Sequence, residues 1–142
     1  MDLFADDLYR EIILDNYKDK TNKREMQDAD IKQEGYNPSC GDDVEIFVKF
    51  DGDTICDISY SGIGCSICMS SANMLCNAIK NKPKTYAKEL SEKVRKFITD
   101  NEDIDFTNDN EDIEALEGVR KLPARVKCAL LSWNTLEQII QS

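Results

Sequence analysis

Residues Ser61–Ser71 read SGIGCSICMSS, and this stretch decides the fold because its character changes from strand to helix at a cysteine. The preceding Thr54–Tyr60 is rich in β-branched and aromatic side chains, whereas apolar residues recur at helical spacing from Ile67 to Ile79. Two glycines permit a tight turn, and Ser66 can cap the helix. We therefore expect Cys65 at a helix N-terminus, where amides and the helix dipole favour a thiolate. A buried structural cysteine at a packed corner is the open alternative.

A β-hairpin is predicted to lead into this junction. Apolar residues alternate along Val44–Phe50, with Glu45, Phe47 and Lys49 on the other face, and Asp51–Asp53 turns the chain back into Thr54–Tyr60. A short edge strand near Ala29–Gln33 would bring the sheet to about three strands. In an antiparallel pair the first strand begins where the second one ends. The chain before the hairpin and the chain after it are therefore expected at the same edge of the sheet.

One further cysteine is predicted close to Cys65, and another has a similar setting. Tyr36–Asp43 is dense in turn formers, so Cys40 and Asp42 lie on the loop that enters the hairpin, beside Cys65. Cys128 falls in or near the first turns of a later helix, a setting that resembles that of Cys65. Three thiolates and one carboxylate can surround a tetrahedral zinc, with Zn–S near ~2.3 Å. Spacing alone makes this constellation a weak signal, because the third cysteine is distant in sequence.

Helical periodicity marks the rest of the chain. The predicted helices are one with Phe4, Leu8, Ile12 or Ile13 and Tyr17 on one face that ends near Asn16 to Lys18, one from Ser66 to about Lys80, one capped by Thr85 that reaches Ile98, a short one at Asp112–Leu116 closed by Gly118, and a last one from about Leu122 to Ile140. The chain length suits one compact domain over residues 1–142. The expected fold class is α+β, with a small antiparallel sheet of about three strands packed on one side by helices.

Composition excludes several classes of function. The formal net charge of -10 argues against a nucleic-acid or anionic membrane partner. No long apolar run and no signal peptide are evident, so we expect a cytoplasmic protein. The absence of histidine removes Ser-His and Cys-His catalysis and every zinc site that requires imidazole. For the six cysteines we favour free thiols, metal ligation or redox chemistry over disulfides.

The remaining cysteines have plainer interpretations. Cys65 and Cys68 form a C-x-x-C pair at a helix start, which could be a redox pair, although no βαβ pattern surrounds it. Structural burial of Cys68 is the favoured interpretation. Cys56 on a strand and Cys76 on a helix are expected in the core.

Several segments taken together resemble the SufU-type branch of the NifU N-terminal/IscU family of iron–sulfur cluster assembly proteins. Lys127 stands where the scaffold branch has a histidine before its last cysteine, and an extra segment precedes Leu122, as in the SufU branch. Two residues depart from the family: it often has serine at Cys68, and the SufU branch often has arginine at Asp43. The segments that carry the resemblance are Leu8–Ile13, Asn16–Lys18, Asn37–Asp42, Gly62–Ile67, Leu116–Val119 and Leu122–Ala129.

The resemblance implies a zinc site made of Cys40, Asp42, Cys65 and Cys128. It implies that Cys40 is the sulfur acceptor and that Arg125 helps in docking to the donor. The implied donor is a PLP-dependent cysteine desulfurase of the SufS type, and the sulfur then passes to a SufB-containing assembly complex. Two alternatives stay open: a scaffold that assembles and donates a [2Fe–2S] cluster on the same cysteines, with iron in place of zinc, and a binding module with purely structural zinc that activates the desulfurase.

Overall fold

The computed structural model describes residues 3–106 and 108–141. Within them an antiparallel sheet in the order β1-β2-β3-β4 packs against helices, which confirms the predicted α+β class. The elements are α1 (Leu3–Lys18), β1 (Ile31–Asn37), β2 (Asp42–Asp51), β3 (Thr54–Ile63), α2 (Ser66–Ile79), β4 (Lys82–Pro83), α3 (Lys84–Thr99), a 3₁₀-helix (Asn108–Lys121) and α4 (Pro123–Gln141). That residues 1–142 form a single domain stays a prediction.

The β2–β3 hairpin forms where the alternation predicted it. Gly52 has a φ of +61°, the left-handed conformation that a tight turn requires. At the other end of the hairpin Val44 pairs with Gly62. Gly62 has a φ of +127°, and a Cβ there would lie 2.0 Å from the carbonyl oxygen of Asp43. The close strand pairing at this edge therefore requires glycine, and it brings the start of β2 next to the end of β3.

Two strands differ from the prediction in extent. β1 covers Ile31–Asn37 and so extends to the loop that carries Cys40. β4 is an additional two-residue strand, in which Lys82 pairs with Ile55. Asn81–Pro83 was expected only to interrupt the helical pattern. The amide of Asn81 donates to the Ile55 carbonyl at 2.7 Å, which lays the following residues against the edge of β3.

Helices α2 and α4 pack on one face of the sheet and are joined by a buried polar contact. Ser71 Oγ donates to the Ala129 carbonyl at 2.6 Å and accepts from Trp133 Nε1 at 3.0 Å. Trp133 is 1% exposed, and an aromatic residue of this size contributes at least about 2 kcal/mol by burial. This contact fixes the beginning of α4 relative to α2, and with it the distance between Cys128 and Cys65.

The opposite face of the sheet is partly covered by the connector between α1 and β1. Phe47 lies on the strand face opposite Val44, Ile46 and Val48, and it is buried, as is Met26 of the connector. The connector is held by the amide of Asp30, which donates to the Val48 carbonyl at 2.9 Å, and by an ion pair between Asp28 and Lys49. The alternation therefore predicted the strand correctly, and both of its faces carry buried residues.

The helix ends show where local signals were overridden. α2 begins at Ser66 with Cys65 as its N-cap residue, so Ser66 is not the cap. α3 begins at Lys84, one residue before Thr85, the predicted cap. The 3₁₀-helix continues past Gly118, because Arg120 donates to the carbonyls of Phe97 and Glu102 at 2.6 and 2.7 Å and holds the segment against α3.

The first helix is present over Leu3–Lys18. Ile12, Ile13 and Tyr17 of its predicted face pack partly buried against the core, while Leu8 is 47% exposed. Phe4, the first member of that face, lies outside the residues whose side chains are described. In the described part of the chain, none of the helices combines the length and the apolar character that crossing a membrane requires.

Candidate metal centre

The loop between β1 and β2 presents Cys40 to solvent. β1 ends at Asn37 and β2 begins at Asp42, which pairs with it across the two strands. The amides of Cys40 and Gly41 donate to the Asn37 carbonyl at 3.3 and 2.9 Å. Gly41 has a φ of +73°, which lets the chain turn directly into β2. The backbone of Cys40 is thus held while its thiol stays exposed.

Three of the four predicted ligands come together at this edge. The Sγ atoms of Cys40 and Cys128 and a carboxylate oxygen of Asp42 all lie within 4.8 Å of one another. Both thiols lie near one acceptor, the carbonyl of Ala124, at 3.9 and 3.6 Å. Donors on ~2.3 Å bonds to a tetrahedral zinc lie roughly 3.8 Å apart, so this spacing is close to that of a zinc site.

The fourth predicted ligand, Cys65, stands at the margin of this group. Its backbone amide donates to Asp42 Oδ1 at 2.9 Å, which fixes the start of α2 beside the carboxylate. Its thiol neighbours that of Cys128, but it is not one of the three whose ligand atoms are mutually close. Cys40 and Cys65 were expected close together at one edge of the sheet. In the structure Asp42 lies between them, since its carboxylate accepts from the Cys65 amide and lies within 4.8 Å of Cys40 Sγ.

The surroundings of the carboxylate and thiols suit a dication. Asp42 is 0% exposed, and no ion pair among the described residues includes it. Its oxygens accept from the Cys65 amide and, at 3.4 Å, from Asn37 Nδ2. A buried carboxylate with only neutral donors is costly, and a metal ion would remove that cost. The donor set therefore fits zinc.

The pKa of the Cys128 thiol is raised above its ordinary value. Burial is the largest influence that raises its pKa, and hydrogen bonding with Asp42, Cys40 and Cys65 raises it further. Each of these neighbours is an anion or can become one. A positive charge placed among them would reverse the effect, since it would favour the thiolate.

Arg125 lies beside the thiols in the first turn of α4. The pKa of its guanidinium is raised, first by the charge of Cys65 and then by the hydrogen bond to Cys128. Its amide donates to the Leu122 carbonyl at 2.8 Å, which closes the turn that starts the helix. Arg125 is exposed, so it places a solvent-facing positive charge next to the candidate metal centre.

The other cysteines lie away from solvent or from this group. Cys68 is fully buried, and burial, followed by the charges of Asp42 and Cys65, raises its pKa. A protonated, enclosed thiol gives no support to the redox-pair interpretation. Burial likewise raises the pKa of Cys76. Cys56 was expected in the core, but it is only half-buried on β3.

Sequence reasoning missed Asn37. Its side chain is buried and contacts both Asp42 and Cys128. The signal that could have found it is its place opposite Asp42 in the strand register, which puts the two side chains on the same face of the sheet.

Comparison with known proteins places the chain in a family. The sequence model of the family described as the NifU-like N terminal domain matches residues 8–142. The zinc-dependent sulfurtransferase SufU of Bacillus subtilis (strain 168) is 44% identical over 133 residues, 94% of this chain and 89% of that protein. The iron–sulfur cluster assembly scaffold protein IscU of Streptococcus pyogenes serotype M1 is 33% identical over 134 residues, 94% of this chain and 83% of that protein.

A solved structure agrees with these relatives. The crystal structure of a protein described as an iron–sulfur cluster assembly scaffold for the SUF system, from Fervidobacterium islandicum AW-1, matches with a TM-score of 0.84 at 36% identity. The match covers 90% of this chain and 93% of that one. The chain therefore belongs to the NifU-like N-terminal domain family, as a SufU-type member of this group of iron–sulfur cluster assembly proteins.

Proposed function

We propose that this protein is a zinc-dependent sulfurtransferase of iron–sulfur cluster assembly, which accepts sulfur from a cysteine desulfurase on Cys40. The observation that carries the proposal is a contrast within the candidate metal centre. The thiol of Cys40 is exposed, whereas Asp42 and Cys128 are both 0% exposed. A thiol that receives sulfur from another protein has to be reached by it. The similarity to the zinc-dependent sulfurtransferase of Bacillus subtilis supports the same activity.

The zinc ligands that we propose are Cys40, Asp42, Cys65 and Cys128. Zinc supplies a redox-inert charge that keeps thiolates deprotonated at neutral pH. The residues of this chain orient and enclose the ligands. The Cys65 amide orients the Asp42 carboxylate, and the enclosed Cys128 gives a ligand that solvent does not reach. Cys40 is the ligand whose side chain can leave the group without opening the core.

The proposed step is a transfer of sulfane sulfur. The Cys40 thiolate attacks the terminal sulfur of the persulfide on the desulfurase. A new S–S bond forms on Cys40 while the donor's S–S bond breaks, and the donor cysteine leaves as a thiolate. One bond replaces another, so no external oxidant or reductant is needed. Arg125, beside these thiols, would attract the anionic persulfide as the donor docks.

The proposed partners are a SufS-type, PLP-dependent cysteine desulfurase and a SufB-containing assembly complex that takes the sulfur onward. We propose no nucleic-acid or membrane partner, since the net charge of -10 would repel both. The reaction needs thiols that stay reduced, which we place in the cytoplasm.

Mass spectrometry after incubation with the desulfurase and cysteine tests the proposal. We expect the mass of one sulfur atom on the Cys40 peptide of the wild-type protein and none on Cys40→Ala. The variant Asp42→Ala should bind zinc more weakly but keep a thiol able to receive sulfur. Sulfur on Cys65 or Cys128 with Cys40 unmodified would contradict the assignment.

The same samples separate the alternatives. A scaffold would gain iron and colour on anaerobic reconstitution and carry no added sulfur on its cysteines. In Cys40→Ala protein that keeps its fold and some zinc, an allosteric module with purely structural zinc would still stimulate the desulfurase, whereas the proposed transfer predicts that this variant loses the stimulation.

A further inference from the structure

Asn37 is not a proposed ligand, but it contacts several parts of the candidate metal centre. It is the last residue of β1, is 6% exposed, and pairs with Asp42 in the strand register. Its main chain and side chain reach the loop of Cys40 as well as two of the proposed ligands.

The side-chain amide of Asn37 faces the two buried ligands. Nδ2 donates to Asp42 Oδ2 at 3.4 Å and to Cys128 Sγ at 3.8 Å. One NH₂ group has two N–H donors, so it can serve both acceptors at once. These contacts join a residue at the start of β2 to a residue in α4. They hold the carboxylate and the thiol at the separation that a shared metal requires.

The oxygens of Asn37 hold the exposed ligand. Oδ1 accepts from the Ser39 amide at 3.3 Å, and the main-chain carbonyl accepts from the amides of Cys40 and Gly41. This is a turn closed by an asparagine side chain and its own backbone. Asparagine suits the position because its head group has both donors and an acceptor, whereas aspartate lacks the donors and serine is too short to reach as far.

We propose that Asn37 is the positioning residue of the metal centre, which orients Asp42 and Cys128 with its amide nitrogen and fixes the Cys40 loop with its oxygens. The inference rests on the metal-binding half of the proposed function. It assigns Asn37 no contact with the sulfur being transferred, so its effect is on metal affinity. Groups that orient metal ligands typically change the affinity about 10- to 100-fold when they are replaced.

The decisive variant is Asn37→Asp, which keeps an acceptor for the Ser39 amide and loses both donors. Because it also adds a charge, the matched control is Asn134→Asp, since Asn134 is exposed and lines the same surface cavity of about 240 Å³ as Asn37. Asn37→Ser removes both amide donors without adding charge, and its shorter hydroxyl does not reach as far, so it decides the question if Asn37→Asp does not fold. Melting of each metal-free variant shows which of them fold.

Zinc affinity is measured by competition with a chromophoric chelator, and the ligand geometry by the absorption spectrum of the Co²⁺-substituted protein. We expect roughly 10- to 100-fold weaker zinc binding and an altered Co²⁺ spectrum in the folded Asn37 variants, with Asn134→Asp like the wild type. Wild-type zinc affinity and a wild-type Co²⁺ spectrum in a folded Asn37 variant would overturn this inference but not the proposed function. The inference would also be overturned if Asn134→Asp and Asn37→Asp weakened zinc binding equally while Asn37→Ser kept the wild-type affinity. A wild-type protein that binds no zinc would overturn the proposed function as well.

Discussion

The open end of the sheet and the part of the molecule behind it each hold three of the six cysteines, in surroundings of different character. Cys128 at the open end and Cys76 in the core make the clearest pair. Both are almost completely buried, and burial raises the pKa of both. The open-end cysteines are Cys40, Cys65 and Cys128, and the other three are Cys68 and Cys76 in the core and the half-buried Cys56 on β3.

The neighbours of the two thiols make the difference. Cys128 hydrogen-bonds with Asp42, Cys40 and Cys65, which are groups that can share a cation. The pKa of Cys76 is raised by burial alone to a first approximation, because the charges of Arg24 and Lys80 oppose that of Asp57. Burial by itself therefore does not make a cysteine structural. What distinguishes the proposed ligand Cys128 from the core residue Cys76 is a second polar group within reach of the same ion.

Removal of the metal from the open end should have the largest effect on stability of the experiments that compare the two regions. Zinc that binds only the folded state adds about 4 kcal/mol at a free concentration roughly a thousandfold above its Kd. Chelation should then lower the melting temperature by on the order of 10 °C, as followed by circular dichroism. Asp42→Ala is the control, because its weakened site leaves the chelator less to remove. Unchanged melting of the wild-type protein after confirmed zinc loss would contradict a structural contribution of the open end.

Alkylation of the native, metal-free protein should show the next largest difference. Cys40 is exposed, whereas Cys76 reacts only when the core opens, and an opening of about 3 kcal/mol already slows the reaction more than ~100-fold. The raised pKa of the Cys76 thiol slows it further. The measurement is peptide mass spectrometry after timed exposure to iodoacetamide. Similar rates for the two cysteines would mean that the core is open on this timescale, and addition of denaturant serves as the positive control.

Part of this division could be predicted from the sequence. The alternation over Val44–Phe50 and the turn after it set the antiparallel hairpin, and antiparallel geometry alone brings the loop of Cys40 to the start of α2. The position of Cys65 at the N-terminus of α2 followed from the change of periodicity. These signals are local, and they were sufficient to predict the parts of the structure that depend on residues close together in the sequence.

The contributions from distant parts of the chain could not be predicted in this way. Cys128 entered the predicted ligand set through the family resemblance, because spacing does not show that α4 packs beside the loop. Gly35 lies at this packing contact, where a Cβ would lie 2.1 Å from Thr135 Oγ1, so a larger residue would require the Thr135 side chain to move. The contact of Asn37 with Cys128 was missed for the same reason, since Cys128 lies on α4.

Serine substitutions in the core test the comparison at a smaller scale. Cys76→Ser and Cys68→Ser each place a hydroxyl in a fully enclosed site, which should cost about 1–3 kcal/mol of unfolding free energy. Both variants should retain zinc at the wild-type stoichiometry, because neither thiol is a proposed ligand. Urea denaturation and metal analysis of the same samples provide the two measurements. Loss of zinc from Cys68→Ser alone would move the ligand of this helix turn from Cys65 to Cys68.

Cys56→Ser should have the smallest effect of the series. Cys56 is half-buried on β3 at the irregularity opposite Lys49 and Phe50, and its Sγ donates to the Lys49 carbonyl at 3.4 Å. A serine hydroxyl can make the same hydrogen bond and keeps some access to water, so the free energy of unfolding should change by no more than about 0.5 kcal/mol. Zinc content should also stay unchanged. Urea denaturation beside Cys76→Ser measures the difference between the two sites, and an equal loss of stability in both variants would show that partial exposure does not protect Cys56.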